Sequence, residues 1–443
     1  MKIQLSDHFN YKRLWLFTLP TIGMMIFTSI YSVVDGFFVS NFVGKIQFTA
    51  LNFIYPVLMI LGGFGFMFGT GGSALIAMTL GMGEKEKARK IFSMLVYVTI
   101  GLGIVLAIAG NIFIKPLAIL LGGEGEMLRY SLQYGRIIMC ALPFFMLQYE
   151  FQSFFVVAEK PKLGLLVTVI SGVTNMVLDW LFMAVFKWGL IGAAVATSIS
   201  QCVGGIIPIV YFALPNKSLL RLRKTVMDFK ALFKSALNGS SELMTNIAMA
   251  IVGMLYNAQL LKYAGEDGIA AYGVLMYVSL VFLAIFIGYS SGIAPVVGYH
   301  YGAGNYDELK SLYKKSITII LLSSVVMVIM AEVLGKPLSI IFVGYDKGLM
   351  DMTVRAFFFY GFSFLFSGIA IFGSAFFTAL NDGLVSALIS FMRTLVFQIA
   401  TVLVFPLIWG LDGIWGSIVA AEMMSVIVTF AFIFGKKKKY KYM

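Results

Sequence analysis

The sequence predicts an all-α polytopic membrane protein whose twelve transmembrane helices form two pseudo-symmetric six-helix lobes. Its composition defines the class, because 60% of the 443 residues are apolar, only 12% are charged and the mean hydropathy is +0.92. Apolar windows long enough to cross a bilayer, roughly 20 residues each, give the number of helices. A sequence repeat at a constant spacing gives the two lobes.

The apolar windows follow one another along the whole chain. The first is too long for the apolar core of a signal peptide, and no small-residue cleavage site follows it, so we expect it to stay as a spanning helix. The twelve windows cover residues 13–40, 50–80, 91–113, 128–157, 162–186, 190–214, 235–262, 269–300, 311–335, 350–379, 384–407 and 413–435.

The repeat places the same short motifs 221 residues apart. Gly-Met-Gly at 81–83 returns as Gly-Ala-Gly at 302–304, and Trp-Gly-Leu at 188–190 returns at 409–411. Six helices per half is an even number, so both halves enter the membrane from the same side and are related by an axis along the membrane normal. Two such halves in an apolar chain predict a transporter whose substrate path lies between them.

We predict an amino-terminal lobe over residues 1–214, a carboxy-terminal lobe over residues 235–435 and a basic cytoplasmic tail over residues 436–443. A cytoplasmic amphipathic connector over residues 215–234 joins the lobes. Apolar residues alternate there with basic ones, which favours an amphipathic helix on the inner membrane surface. A solvated connector is the alternative.

The distribution of basic residues predicts the orientation. Segments predicted to be cytoplasmic hold 23 of the 33 lysines and arginines, and the outer loops hold 7. Because basic residues collect in cytoplasmic loops, we expect both termini to be cytoplasmic. The net charge of +12 therefore reflects topology, and the lysines at 436–439 are expected to meet anionic membrane lipid, with no role in binding nucleic acid.

Residues that carry enzyme chemistry are scarce. Cys140 and Cys202 both fall inside predicted helices, which argues against a disulfide framework or a thiolate metal site. His8 and His300 are too few and too far apart for a metal site or a catalytic triad. We therefore predict that the protein is not an enzyme and holds no metal beyond a transported cation.

Two acids lie inside apolar helices, where each costs about 2.5 to 3.5 kcal/mol near the helix centre. Asp35 and Asp179 have no lysine or arginine within a helical turn. Asn175 precedes Asp179 by four residues, so both face the same side of the fifth helix.

The same residues lie at one predicted depth. Asp179 precedes Lys187 by eight residues and Thr197 follows it by ten, which places both about 12 to 15 Å from the outer turn. Asp35 precedes Gly44 by nine residues on the same side. Two carboxylates, an amide and a hydroxyl would form an oxygen-rich site for a hard cation such as sodium, or for a shared proton. Alternatively, each carboxylate caps neighbouring backbone or accepts a serine hydrogen bond.

The second half does not repeat these acids. The 221-residue offset carries Asp35 to Tyr256 and Asp179 to Ala400. The ion site is therefore expected in the first half alone, which fits a coupling ion handled by one lobe while the substrate uses the shared cavity.

Several motifs, in order, resemble one transporter family. They are Leu-Pro at 19–20 with an acid fifteen residues on, Ala-Leu-Pro-Phe at 141–144, Gln-Ser-Phe-Phe at 152–155, and Asn175 four residues before Asp179. Over essentially its whole length the chain resembles the multidrug and toxic compound extrusion (MATE) transporters. Helix ten has no acid over residues 356–379, and Glu242 lies only eight residues beyond Lys234. These features resemble the DinF-like branch, which relies on the amino-lobe site.

The resemblance implies secondary active export of amphipathic, often cationic, organic compounds by alternating access, with proton or sodium antiport. It implies that Asp35, Asn175, Asp179 and Thr197 bind the coupling ion and that Pro20 is the kink of the first helix. No other cofactor is expected. The partners are small-molecule drugs and membrane lipid, and we expect a monomeric multi-pass protein of the bacterial plasma membrane.

Other buried charges leave alternatives open. Glu150 among aromatic residues would suit contact with a lipophilic cationic substrate, or it is a paired acid in a lipid-facing aromatic stripe. Arg393 and Glu422 are expected to form a structural ion pair. The alternative function is a flippase for a lipid-linked precursor in the same broad superfamily, which would need a basic cavity. The three intramembrane arginines, Arg136, Arg355 and Arg393, are scattered, which favours the exporter.

Overall fold

The structure, a computed structural model, describes residues 3–443 without the side chain of Lys45. The first half forms six helices, and the fifth ends in a wider π-helical segment, Trp180–Val185. The helices are α1 (Tyr11–Phe42), α2 (Lys45–Gly81), α3 (Lys85–Leu120), α4 (Gly125–Val157), α5 (Pro161–Asp179) and α6 (Gly189–Ala213).

The second half contains two long helical stretches, each divided at a glycine. Phe229–Gly302 breaks at Gly265 (φ 64°, ψ −151°) into α7 (229–264) and α8 (266–302). The stretch that starts at Gly383 contains a π-helical segment, Met392–Val396, and breaks at Gly410 (φ 57°, ψ −133°) into α11 (383–409) and α12 (411–440). Between them lie α9 (Tyr306–Val343) and α10, whose parts Lys347–Gly361 and Phe364–Ala379 meet at a bend of 48°.

The predicted all-α, twelve-helix membrane fold is confirmed over the residues that the structure describes. Nine continuous helices and one bent pair are long and apolar enough to cross a membrane, and two of the nine are each divided into two by the glycine breaks. Several helices run past their predicted ends, for example α3, which reaches Leu120. Helix length beyond the hydrocarbon thickness is tolerated because backbone hydrogen bonds stay satisfied within the helix.

The backbone repeats with the sequence. Gly83 and Gly304 both have positive φ, at 82° and 68°, and so do Gly189 and Gly410, each at 57°. Both pairs lie 221 residues apart. Glycine adopts this left-handed conformation without the steric penalty of a Cβ atom, so equivalent turns use equivalent glycines in the two halves.

The lobes meet where backbones approach closely. A Cβ atom built on Gly239 of α7 would overlap the carbonyl oxygen of Met67 in α2, and one on Gly302 of α8 would overlap that of Met78. Outward along α2 and α7, the last glycine contact is between Gly63 and Leu243. Among the described glycines, these contacts lie on the side of the protein that carries the two ends of the chain. The interface between the lobes is therefore closed on that side. We call this set of contacts the glycine seam.

The segment before α1 crosses the closed side. The backbone N–H of Leu5 donates to Glu159 at the end of α4, over 2.8 Å. The backbone N–H of Phe9 donates to Glu308 of α9 over 2.9 Å, and Lys315 donates to the Phe9 carbonyl over 2.6 Å. Leu5 and Phe9 are fully buried. The segment therefore ties the amino lobe to the carboxy lobe.

The prediction of an amphipathic helix in the connector is wrong, because residues 215–228 are irregular and α7 begins at Phe229. The connector forms backbone hydrogen bonds with side chains of α3 in place of the internal hydrogen bonds of a helix. The N–H of Arg223 donates to Ser93 over 2.9 Å, and Arg89 donates to the Leu219 carbonyl over 3.0 Å. Leu220 is fully buried beneath it.

The carboxyl end is not a free tail either. Helix α12 continues to Tyr440, whose hydroxyl donates to Asp382 over 2.5 Å. The Tyr442 hydroxyl donates to the Ile433 carbonyl over 2.6 Å. Lys441 lies 4.9 Å from the ring centroid of Tyr306, so both described ends of the chain lie at the same face of the protein.

We expect Gly239→Ala to lower the stability of the protein by about 1 to 3 kcal/mol, because the added methyl group forces α2 and α7 apart. Gly253→Ala in the same helix is the matched control, since a Cβ there meets no atom within 4 Å. It should be neutral or slightly stabilising, because alanine favours helix. Thermal unfolding of the purified protein in detergent measures both, and equal losses would contradict the seam.

Candidate functional site

Asp35 and Asp179 come together inside the amino lobe. Asp35 lies on α1 and is partly exposed, whereas Asp179, the last residue of α5, is fully buried. Their carboxyl groups lie within hydrogen-bonding reach of each other. The structure therefore joins two acids that are 144 residues apart in the sequence.

The two polar residues predicted beside them lie in the same place. The side-chain amide of Asn175 is 3.5 Å from the hydroxyl of Thr197 on α6, at the limit of a hydrogen bond. Asn175 is buried, and four residues separate it from Asp179 on the same face of α5. All four predicted residues thus converge from α1, α5 and α6.

The carboxylates have unfilled hydrogen-bonding capacity. Both carboxylate oxygens of Asp179 and the Oδ1 atom of Asp35 are buried and have no hydrogen-bond partner among the described residues. Ionised carboxylates are acceptors only, so direct contact between two of them needs a shared proton or a bound cation. Burying such groups without a partner costs several kcal/mol. The pair therefore requires a proton or a cation when the site is closed to water.

Three tyrosines surround the acids, and the sequence analysis missed them. Tyr31 on α1, Tyr55 on α2 and Tyr134 on α4 are all close enough to Asp35 to interact with its charge. Only Tyr31 carried a sequence signal, since it precedes Asp35 by four residues and shares its helix face. Tyr55 and Tyr134 reach the site through the tertiary packing of α2 and α4.

The backbone changes geometry directly after Asp179, where the π-helical segment Trp180–Val185 begins. A π-helical turn inserts an extra residue per turn and often occurs at functional sites. The second half has its own π-helical segment, Met392–Val396, next to the ion pair described below. Neither segment was predicted.

Pro20 is buried within α1, which is continuous from Tyr11 to Phe42. Proline removes one backbone hydrogen bond and so makes a weak point at which a helix can bend. The role of Pro20 as a kink stays a prediction.

Glu150 lies inside the amino lobe. It is fully buried, and neither of its carboxylate oxygens has a partner among the described residues. Gly69 of α2 packs against its backbone, and Thr99 of α3 lies near its side chain. Contact between Glu150 and a substrate stays a prediction, and it would require the packing of α2, α3 and α4 to open.

The carboxy lobe holds a neutral network at the position equivalent to Asp35. The Tyr256 hydroxyl contacts Gln398 over 3.0 Å and Ser417 over 2.8 Å. Its ring stacks on that of Tyr272 with 5.2 Å between centroids. The two lobes therefore have the same helices around chemically different interiors.

The ion pair predicted between Arg393 and Glu422 is confirmed. The Arg393 Nε atom donates to Glu422 Oε2 over 2.9 Å, and the two side chains are 14% and 4% exposed. Glu242 of α7 also interacts with the charge of Arg393. Arg393 thus offsets the charge of both these acids, whereas Asp35 and Asp179 in the amino lobe have no basic partner.

Comparison with known proteins identifies related sequences over the full chain. The MatE family profile matches twice, at residues 20–181 and 243–404. A multidrug export protein MepA from Staphylococcus haemolyticus is 24% identical over 436 residues, which are 97% of this chain and 94% of that protein. The protein of the same name from Staphylococcus saprophyticus is 25% identical over 435 residues, 96% of this chain and 93% of that protein.

Solved structures share the fold. A crystal structure of a MATE protein in complex with MaL6 superimposes with a TM-score of 0.93 at 21% identity, covering 98% of each chain. An outward-facing multidrug resistance MATE transporter gives 0.93 at 21% identity and covers 100% of this chain and 99% of that one. A MOP superfamily transporter from Pyrococcus furiosus gives 0.90 at 21% identity, covering 98% of each chain.

We expect Arg393→Gln to lower stability by about 3 to 5 kcal/mol, because it leaves the buried Glu422 without its partner. The double variant Arg393→Met with Glu422→Leu should recover most of that loss, since it removes both charges. Thermal unfolding in detergent measures the difference. Arg355→Gln, in the exposed pair with Asp412, is the control and should change stability by less than about 1 kcal/mol. A double variant no more stable than the single one would contradict the pairing.

Proposed function

This chain belongs to the MatE family, and from that premise we propose that it is a secondary active multidrug exporter. It moves amphipathic, often cationic, organic compounds out of the cell in exchange for protons or sodium ions. The names of the staphylococcal relatives support drug export. The amino-lobe acid pair supports cation coupling, and it is the observation that carries the proposal.

The acid pair suits a coupling site because burying the two carboxylates together without a bound proton or cation is energetically costly. Asp35 and Asp179 lie together without an arginine or lysine partner, whereas Glu422 has Arg393. A proton or sodium ion between the two carboxylates removes the electrostatic cost of burying them. Binding and release of that ion therefore change the free energy of any conformation that exposes or closes the site.

The glycine seam supports alternating access. It closes the side of the interface that carries both termini, which the basic residues predict to be cytoplasmic. Export requires this side to open so that drug can enter, and the seam then separates as α2 moves away from α7 and α8. Transporters of two repeated lobes change access in this way, by rigid-body rocking about a central site.

The three intramembrane arginines argue against the flippase. Arg393 is paired with Glu422, and Arg355 is paired with Asp412. Arg136 is exposed on α4, two residues after Tyr134, which faces the acid pair. At about 100° per residue, Arg136 points to the outside of the lobe. None of the three supplies a free positive charge between the lobes for a pyrophosphate group.

We propose in addition that both termini are cytoplasmic and that the protein functions as a monomer in the bacterial plasma membrane. The coupling ion is its only cofactor. Pro20 supplies the flexible point in α1 that lets Asp35 change its surroundings when the ion binds.

The test is ethidium efflux from drug-sensitive bacterial cells that express the wild type, Asp35→Asn or Asp179→Asn at matched membrane levels. We expect both variants to lose efflux, because an amide cannot release a proton or neutralise a cation. Asp351→Asn is the control, since that carboxylate is exposed on α10 and should be dispensable. Varying sodium and pH independently then identifies the ion: efflux that follows the pH gradient without sodium indicates protons.

Normal efflux by both variants would show that the acid pair is not the coupling site. Absence of dye efflux by the wild type, together with flipping of a lipid-linked precursor in proteoliposomes, would support the flippase instead.

A further inference from the structure

A groove of about 520 Å³ lies on the amino lobe between α4 and the outer end of α6. Both charged and apolar side chains line it. They include Arg129, Leu132, Gln133, Arg136 and Ile191.

The polar residues of the groove form one stripe on α4. Arg129, Gln133 and Arg136 are spaced by four and three residues, which places them on one face of the helix. Tyr134 lies on the opposite side and faces the acid pair. The groove therefore opens to the outside of the lobe and is separate from the proposed transport path.

The depth of the groove follows from its contact with α6. The Ser198 hydroxyl donates to the carbonyl of Ile137, beside Arg136, over 3.4 Å. Ser198 lies nine residues beyond Gly189, where α6 begins, so the inner end of the groove is about 14 Å below the outer end of α6. Helical side chains lean toward the helix amino terminus, so Arg136 extends back toward the outer membrane surface.

The two arginines have no acidic partner. Both arginines are exposed, and neither forms an ion pair with another residue of the described part of the chain. An arginine within the hydrocarbon layer costs about 2.5 to 3.5 kcal/mol on insertion scales. Arginine binds phosphate oxygens through two parallel N–H donors. The groove thus combines two unpaired arginines with apolar walls, Leu132 and Ile191 among them.

We propose that this groove binds an anionic phospholipid of the outer leaflet. The guanidinium groups of Arg129 and Arg136 hold the headgroup phosphate, the Gln133 amide donates to it, and an acyl chain packs on Leu132 and Ile191. Because α4 and α6 also contribute Tyr134 and Thr197 to the acid pair, the bound lipid braces the two helices that form one wall of that site. The lipid is a structural partner and is not transported.

The test uses purified protein in detergent and does not depend on transport. Native mass spectrometry is recorded while phosphatidylglycerol or phosphatidylcholine is titrated. We expect a preference for phosphatidylglycerol, weakened about fivefold by Arg129→Gln or Arg136→Gln and more by both, since each basic residue contributes about that factor at an anionic surface. Arg355→Gln, an exposed arginine of the other lobe, should leave the preference unchanged. Arg136→Lys keeps the charge and should retain binding within a fewfold.

Inorganic phosphate at millimolar concentration distinguishes a lipid from a free anion. We expect it to displace little phosphatidylglycerol, because the acyl chain contributes to binding. Full displacement by phosphate would overturn the lipid assignment. Unchanged phosphatidylglycerol binding by the double variant, with its thermal unfolding like that of the wild type, would overturn the site. If the double variant does not fold, the single variants and Arg136→Lys decide: equal lipid affinity in all of them also overturns it.

Discussion

The close backbone contact of α2 with α7 and α8 is the constraint on which the arrangement of the lobes depends. Only glycine lets two helices approach until one backbone touches the carbonyl oxygens of the other, as at Gly239 and Gly302. In a bilayer, where lipid is as apolar as leucine, such van der Waals contact replaces the hydrophobic effect as the force that joins helices. The seam therefore sets which side of the interface is closed. Everything that faces the other side of the interface, including the route to the acid pair, depends on it.

The seam is reinforced by polar contacts at the aqueous edge. The segment before α1 binds Glu159 of one lobe and Glu308 of the other through its backbone. These contacts differ from the seam in kind, because charged groups near water can exchange partners at low cost. A conformational change that opens this side has to break both sets. The glycine contacts determine the geometry of the closed state, and the polar contacts add to its stability.

The two lobes show how one backbone can carry different chemistry. At the position of Asp35 the carboxy lobe has Tyr256, whose hydroxyl is satisfied by Gln398 and Ser417. Its buried acid, Glu422, is held by Arg393. A satisfied network favours a single state, whereas a pair of unpartnered carboxylates changes its energy whenever a proton or cation arrives. Functional asymmetry thus arises from a few side chains within a symmetric framework.

Much of this protein follows from the sequence by itself. Apolar windows and the repeat determine the twelve helices and the two halves, because hydrocarbon admits only helices that satisfy their own backbone. The depth of Asp35, Asp179 and Thr197 also follows, because a helix rises by a constant amount per residue.

Only the tertiary structure decided which side chains meet across helices. It brought Tyr55 and Tyr134 to the acids and buried Glu150 inside the lobe. It also laid the connector on α3 as an irregular segment, because Ser93 and Arg89 offered the hydrogen bonds that a helix would otherwise have supplied. Such contacts join residues far apart in the chain, and local sequence patterns carry no record of them.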